Sequence, residues 1–216
     1  MYEAKSKEIV LRKVREALAK SAPFLPPTPD FSTSVYGPLL EDLSVLFAET
    51  FIRNSGTFVY CENEEDFFDQ LFEFKKERGI DNLYVWEPTL KKILHAGGIN
   101  FNGTEDDFIN NAQAALTTCE ALVARTGSIL VSSANASGRR LSVYPAMHLV
   151  VAKLSQLVPD IKQALQFVQE KYGKRLPSML SLVSGPSRTA DIEKTLVMGA
   201  HGPKELILFL VDDHSD

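Results

Sequence analysis

Between residues 39 and 96 the spacing of apolar residues changes period repeatedly, and this alternation restricts the fold more than any other feature of the chain. Leu43, Leu46, Phe47 and Phe51 recur at helical spacing, residues 57–60 form a short β-rich run, and Phe67, Leu71 and Phe74 are helical again within residues 62–78. Residues 83–86 then read as a strand, and Pro88 precedes a third helical stretch, 90–96, which Gly97 and Gly98 stop. Strands separated by helices return in the same direction, so the rhythm predicts an α/β fold: a parallel-rich sheet with helices on both faces.

The rest of the chain extends this pattern. Short apolar runs at 112–116, 121–124, 128–132, 141–144 and 148–151, separated by Gly127, residues 135–138 and Pro145, predict strands and turns. A helix over 160–172, a strand over 179–184, a polar turn and a last strand over 205–212 follow. At the other end, Val10, Val14 and Leu18, with Leu11 and Ala17 alongside, form one apolar helical face within residues 3–20. Glu3, Glu8 and Glu16 dilute its basic residues, so a packing arm or a homo-oligomer contact is expected rather than a membrane-surface helix. Pro23, Pro26, Pro27 and Pro29 lack amide donors and forbid regular helix. The expected organisation is an N-terminal helix and proline-rich linker over 1–30, then one α/β domain over 31–216.

Composition removes several function classes. The 23 basic residues face 28 acidic ones, a formal charge of -5, so the chain as a whole supplies no attraction for nucleic acid. Its two cysteines, Cys61 and Cys119, form no CxxC pair, so neither an iron–sulfur cluster nor a disulfide framework is expected, and reduced thiols fit a cytoplasmic location. No long apolar run predicts a membrane span, and the N-terminus has no secretory pattern. His95, His148, His201 and His214 are scattered, so no metal site is expected, and His148 within an apolar run reads as a core residue. There is no phosphate-binding P-loop, no Gly-x-Ser-x-Gly elbow and no Gly-x-Gly-x-x-Gly turn after a strand.

Chemistry concentrates in three segments. After the strand at 179–184 comes Ser-Gly-Pro-Ser-Arg-Thr-Ala-Asp-Ile-Glu, residues 184–193. Gly185 permits close approach, Ser187 and Thr189 supply hydroxyls, amides of a following helical turn favour anions, and Arg188 can grip a carboxylate or phosphate with two parallel bonds. The alternative is a plain helix cap by Ser187 or Thr189. The second segment brackets His201 between Gly199 and Gly202 in a tight turn, making His201 an acid/base candidate together with Glu193, or else an ordinary turn residue. The third combines the turn Thr126, Gly127 and Ser128 with Arg139 and Arg140, which, with Arg125 and Arg188, concentrate positive charge beside turns and suit a small anionic metabolite.

Ser-Gly-Pro-Ser-Arg-Thr-Ala-Asp-Ile-Glu at 184–193, Gly-x-His-Gly-Pro at 199–203, Thr-Gly-Ser at 126–128 and Gly-Arg-x-Leu-Ser with Pro145 and His148 together resemble the LUD-domain family, more narrowly its LutC/YkgG-type lactate utilisation proteins. The likeness runs from about residue 57 to the end. It implies a fold like the NagB/RpiA/CoA-transferase group and a place in a system oxidising L-lactate to pyruvate. Its implied partners are an iron–sulfur protein of the CCG-domain type and a larger LUD protein with ferredoxin-like cysteine motifs; no cofactor of this chain itself is implied. Many relatives carry an acidic residue where this chain has Arg125, which puts a catalytic role at that position in doubt. The same fold group also leaves open a CoA-transferase-like or sugar-phosphate isomerase-like enzyme, and a non-catalytic assembly scaffold.

Overall fold

A computed structural model describes residues 2–19, 36–106, 108–190, 196–199 and 201–214. The chain divides into two compact units, residues 1–38 and 39–216. The first contains helix α1 (Tyr2–Ala19); the prolines expected to form a linker, Pro23 to Pro29, lie outside the described residues. The second begins with α2 (Leu43–Arg53), β1 (Thr57–Cys61), α3 (Glu64–Glu77), β2 (Leu83–Tyr84) and α4 (Pro88–Ala96). It continues with α5 (Phe108–Asn111), β3 (Ala114–Thr117), β4 (Ala121–Val123), β5 (Ser128–Ser132), β6 (Met147–Lys153), β7 (Leu157–Val158) and α6 (Ile161–Tyr172). Strands β8 (Leu180–Val183), β9 (Arg188–Ala190), β10 (Leu196–Met198) and β11 (Glu205–Val211) complete it.

Local sequence sets the helix starts. Asp42 and Asn63 accept hydrogen bonds from amides in the first turns of α2 and α3, and Asp160 accepts from Ile161 N at the start of α6, satisfying donors that a helix leaves free. Helix α4 instead starts with Pro88, whose missing amide costs nothing there.

Five strands form a sheet in the order β1-β11-β6-β3-β2, every pairing parallel. Its interior strand β11 is apolar at consecutive positions because both faces are covered. Ile207 and Phe209 face Phe67 and Leu71 of α3 and Leu90 and Leu94 of α4. Leu206, Leu208 and Leu210 face the other way, onto Phe47 and Phe51 of α2 and onto Leu122 and Ile129. Those last two belong to a second sheet, β7-β4-β5-β8, whose outer face packs against Ala164 and Val168 of α6. Helices therefore cover both faces of the parallel sheet, α2 sharing the second face with a four-stranded sheet.

Two local expectations are corrected. Residues 141–144 are turn rather than strand: the amides of Val143 and Tyr144 both bond to Arg140 O, and only Leu141 is buried. No helix begins at Ser187 or Thr189; residues 188–190 are extended and pair antiparallel with β10, so the helical amides and the helix cap expected there are not formed by these residues.

Candidate functional site

The segments singled out from the sequence meet at the amino-terminal edge of the parallel sheet, around the end of α2. After Arg53 the chain turns through Asn54 and Ser55, the latter at a positive φ of 68°, into β1. Asn54 holds three segments: its Nδ2 donates to Thr126 O at 2.9 Å, its carbonyl accepts from Arg188 Nη2 at 3.0 Å, and it closes over Gly185. Gly185 (φ +115°) and Gly127 (φ +56°) have backbones that disfavour side chains. A Cβ would lie 2.3 Å from Asn54 O at the first and 2.5 Å from Phe51 N at the second. Here glycine admits neighbouring backbone.

Around this junction Ser128 Oγ lies 2.6 Å from Ser184 Oγ, and Ser187 N donates to Pro203 O while its carbonyl accepts from Gly199 N. A Cβ on Gly202 would come within 3.0 Å of Ser187 Cβ, so Gly202 lets the two turns touch. Arg188 is exposed, and its guanidinium donates to neutral acceptors, Asn54 O and, at 2.5 Å, Ser55 Oγ. It makes no ion pair among the described residues. Thr126 Oγ1 is buried without a hydrogen-bond partner. His201 is exposed in the adjoining turn, and the backbone of Thr189 pairs with Val197. Glu193 lies outside the described residues.

The other arginines are not part of this group. Arg139 donates to Ser178 Oγ at 3.1 Å, and Arg140 pairs with Glu105 at 2.5 Å beneath the rings of Trp86 and Phe108. Arg125 binds a carboxylate, that of Asp160 at 2.7 Å, and so ties the β4–β5 turn to the start of α6.

The opposite, carboxyl-terminal edge holds a feature that no motif announced: a cavity of about 660 Å³ where β1, β11, β6 and β3 end. Its walls include Glu64 and Glu65 in the first turn of α3, Thr89 and Leu90 in that of α4, Lys153 at the end of β6 and Asp212 just past β11. Behind it stand two buried carboxylates. Glu87 accepts from Thr118 N at 3.0 Å and from Thr118 Oγ1 at 2.5 Å. Glu120 accepts from Ser132 Oγ, Tyr172 OH and Lys171 Nζ. The only available signal for this site was positional, since its polar residues directly follow strands.

Comparison with known proteins identifies the family. The LUD domain model matches residues 45–211. The chain belongs to the LUD-domain family. Lactate utilization protein C 1 of Bacillus mycoides is 28% identical to this LUD protein over 233 residues, covering 99% of this chain and 100% of that one. Lactate utilization protein C of Shouchella clausii is 36% identical over 103 residues, 47% of this chain and 45% of that one. The uncharacterized protein YkgG of Escherichia coli is 31% identical over 134 residues, 61% and 53% of the two chains. The chain thus spans about half the length of these last two relatives. A crystal structure of a DUF162 family protein from Deinococcus radiodurans shares the fold, with a TM-score of 0.58, 18% identity and coverage of 78% of this chain and 96% of that one. The LutC/YkgG-type LUD resemblance read from the motifs is the one these comparisons return.

The two thiols of the LUD domain are both buried. Burial, with Asp66 nearby, pushes Cys61 up to about 12, and burial also raises Cys119; neither is poised to act as a thiolate nucleophile or ligand. Among the described residues no group of histidine, cysteine and carboxylate side chains could hold a metal ion, and no helix is long and apolar enough to cross a membrane.

Proposed function

We propose that this LUD protein is a lactate utilisation protein, a cytoplasmic subunit or accessory of the system that oxidises L-lactate to pyruvate, and that it binds a small organic anion. The observation that carries this reading is the relative named lactate utilization protein C 1, matched from end to end of both chains. The amino-edge junction supports an anion there: Arg188, whose partners among the described residues are neutral, lies beside the turns that contain Thr126, Gly127, Ser128, Gly185, Ser187 and Gly202, with His201 and Glu193 as acid/base candidates. Oxidation of L-lactate releases two electrons and two protons. With both thiols buried, the electron carriers of this reading are iron–sulfur subunits that partner this chain.

The reading is tested in two steps. Expression of the chain in a Bacillus strain deleted for its own lactate utilization protein C should restore growth on L-lactate, and failure of a well-expressed chain to do so would count against the role. Calorimetric titration with L-lactate and pyruvate should give saturable binding. Arg188→Ala should weaken it by about 1.5–3 kcal/mol, roughly ten- to a hundredfold, if the contact is charge-assisted; unchanged affinity would remove Arg188 from the site.

A further inference from the structure

The cavity at the carboxyl edge has a different chemistry. It lies where the connections leave the parallel sheet on opposite sides: the chain after β2 enters α4 on the Phe209 face, whereas the chain after β3 enters β4 on the Leu208 face. Such a switch point opens a crevice beyond the strand ends, the usual ligand position in open α/β sheets. At about 660 Å³ the cavity falls among sites for ligands of drug or cofactor size, and a three-carbon acid would leave most of it empty.

Its lining carries charges of both signs. Glu64, Glu65, Asp212 and Asp213 line it against Lys153 and Lys171, and Lys171 is already paired with Glu120. What fits is a molecule with hydroxyl donors for the acids, an apolar planar body and one anionic end. We propose that this cavity binds a nucleotide. Leu90, Ile93 and Val151 form an apolar wall for the heterocycle, and Glu64 and Glu65 accept bonds from ribose hydroxyls. Lys153, which makes no ion pair among the described residues, meets the phosphate. Helix α4 assists, because both oxygens of its N-cap residue Glu87 are committed to Thr118 and the helix starts without a side-chain cap. This assignment goes beyond the lactate reading and does not rest on it.

The test is calorimetric titration of the full chain with ADP, NAD and coenzyme A, which share an adenosine diphosphate, and with FMN, which carries another heterocycle on a ribityl phosphate. The expected result is saturable one-to-one binding of at least one of them. Lys153→Ala should weaken that binding about tenfold or more, a charge-assisted contact being lost. Thr89→Trp, placing an indole across the mouth from an exposed position, should abolish it, while Lys162→Ala on the outer surface of α6 should leave it unchanged. Melting curves establish that each variant is folded. Absence of saturable binding by all four up to about 1 mM, a threshold of roughly 4 kcal/mol, would overturn the proposal, as would binding that survives Thr89→Trp. Either failure leaves growth on L-lactate and the Arg188 titration untouched, so the two readings fail separately.

Discussion

His148 is fully buried at the start of β6, with Nε2 held 2.9 Å from Thr117 Oγ1 and Nδ1 without a partner. The sequence reading placed it in the core, and so it is, but only half of its ring is satisfied. Burial lowers its pKa from 6.5 to about 4, so the folded protein holds the neutral form. Because the folded value is depressed, the unfolded chain takes up the proton first. Stability is therefore intact above pH 6.5 and declines as the pH falls from there toward 4. Between pH 7 and 4.5 this one group should remove roughly 2–3 kcal/mol. Urea denaturation at the two pH values checks it: His148→Leu should shrink the difference by about that amount, and an unchanged difference would show that His148 is not the responsible group. Glycine roles were harder to foresee at this scale. Nothing in the motif distinguishes a glycine that admits a ligand from one that admits the Asn54 carbonyl, as Gly185 does.

Elements were legible where an apolar run lies in a covered sheet, as in β5 and β11, because continuous burial leaves a continuous apolar signature. Residues 141–144 carry similar β-branched and aromatic character, yet Val143 and Tyr144 are exposed and no strand lies beside them. β-propensity describes fit to a pleated neighbour and cannot supply one. The buried carboxylate ahead of β4 also went unread, although it fastens α6 to the second sheet. Glu120 is reached by Lys171 and Tyr172 from α6, each at 2.8 Å, and by Ser132 Oγ from β5 at 2.5 Å. Burial alone would raise its pKa, but these donors overcome that and hold it below the usual carboxylate value. Its contribution is thus present above the ordinary carboxylate pKa and lost as acid protonates it. Glu120→Gln places an amide donor among three donors and should cost about 1–3 kcal/mol at pH 7, read by urea denaturation. A loss below about 0.5 kcal/mol would mean that the network adds nothing beyond packing.

Across the whole molecule, the candidate chemistry divides between two ends of one sheet, and the sequence revealed only one of them. The amino-edge junction has local motifs, but its assembly does not: Asn54 meets Thr126 across 72 positions of chain and Arg188 across 134. The carboxyl-edge cavity has no motif, being assembled from short stretches that lie far apart in the sequence. Both ends depend on the sheet, and all four buried apolar clusters that support it fall within residues 39–216. That unit also contains the helix caps Asp42, Asn63 and Asp160. A chain of that length is well above the size at which a single core becomes marginal, about 70–80 residues. Residues 39–216 alone should therefore unfold in a single cooperative transition, with coincident far- and near-ultraviolet circular dichroism midpoints. Separated midpoints, or a fragment without near-ultraviolet signal, would instead show that residues 1–38 are needed to complete the core.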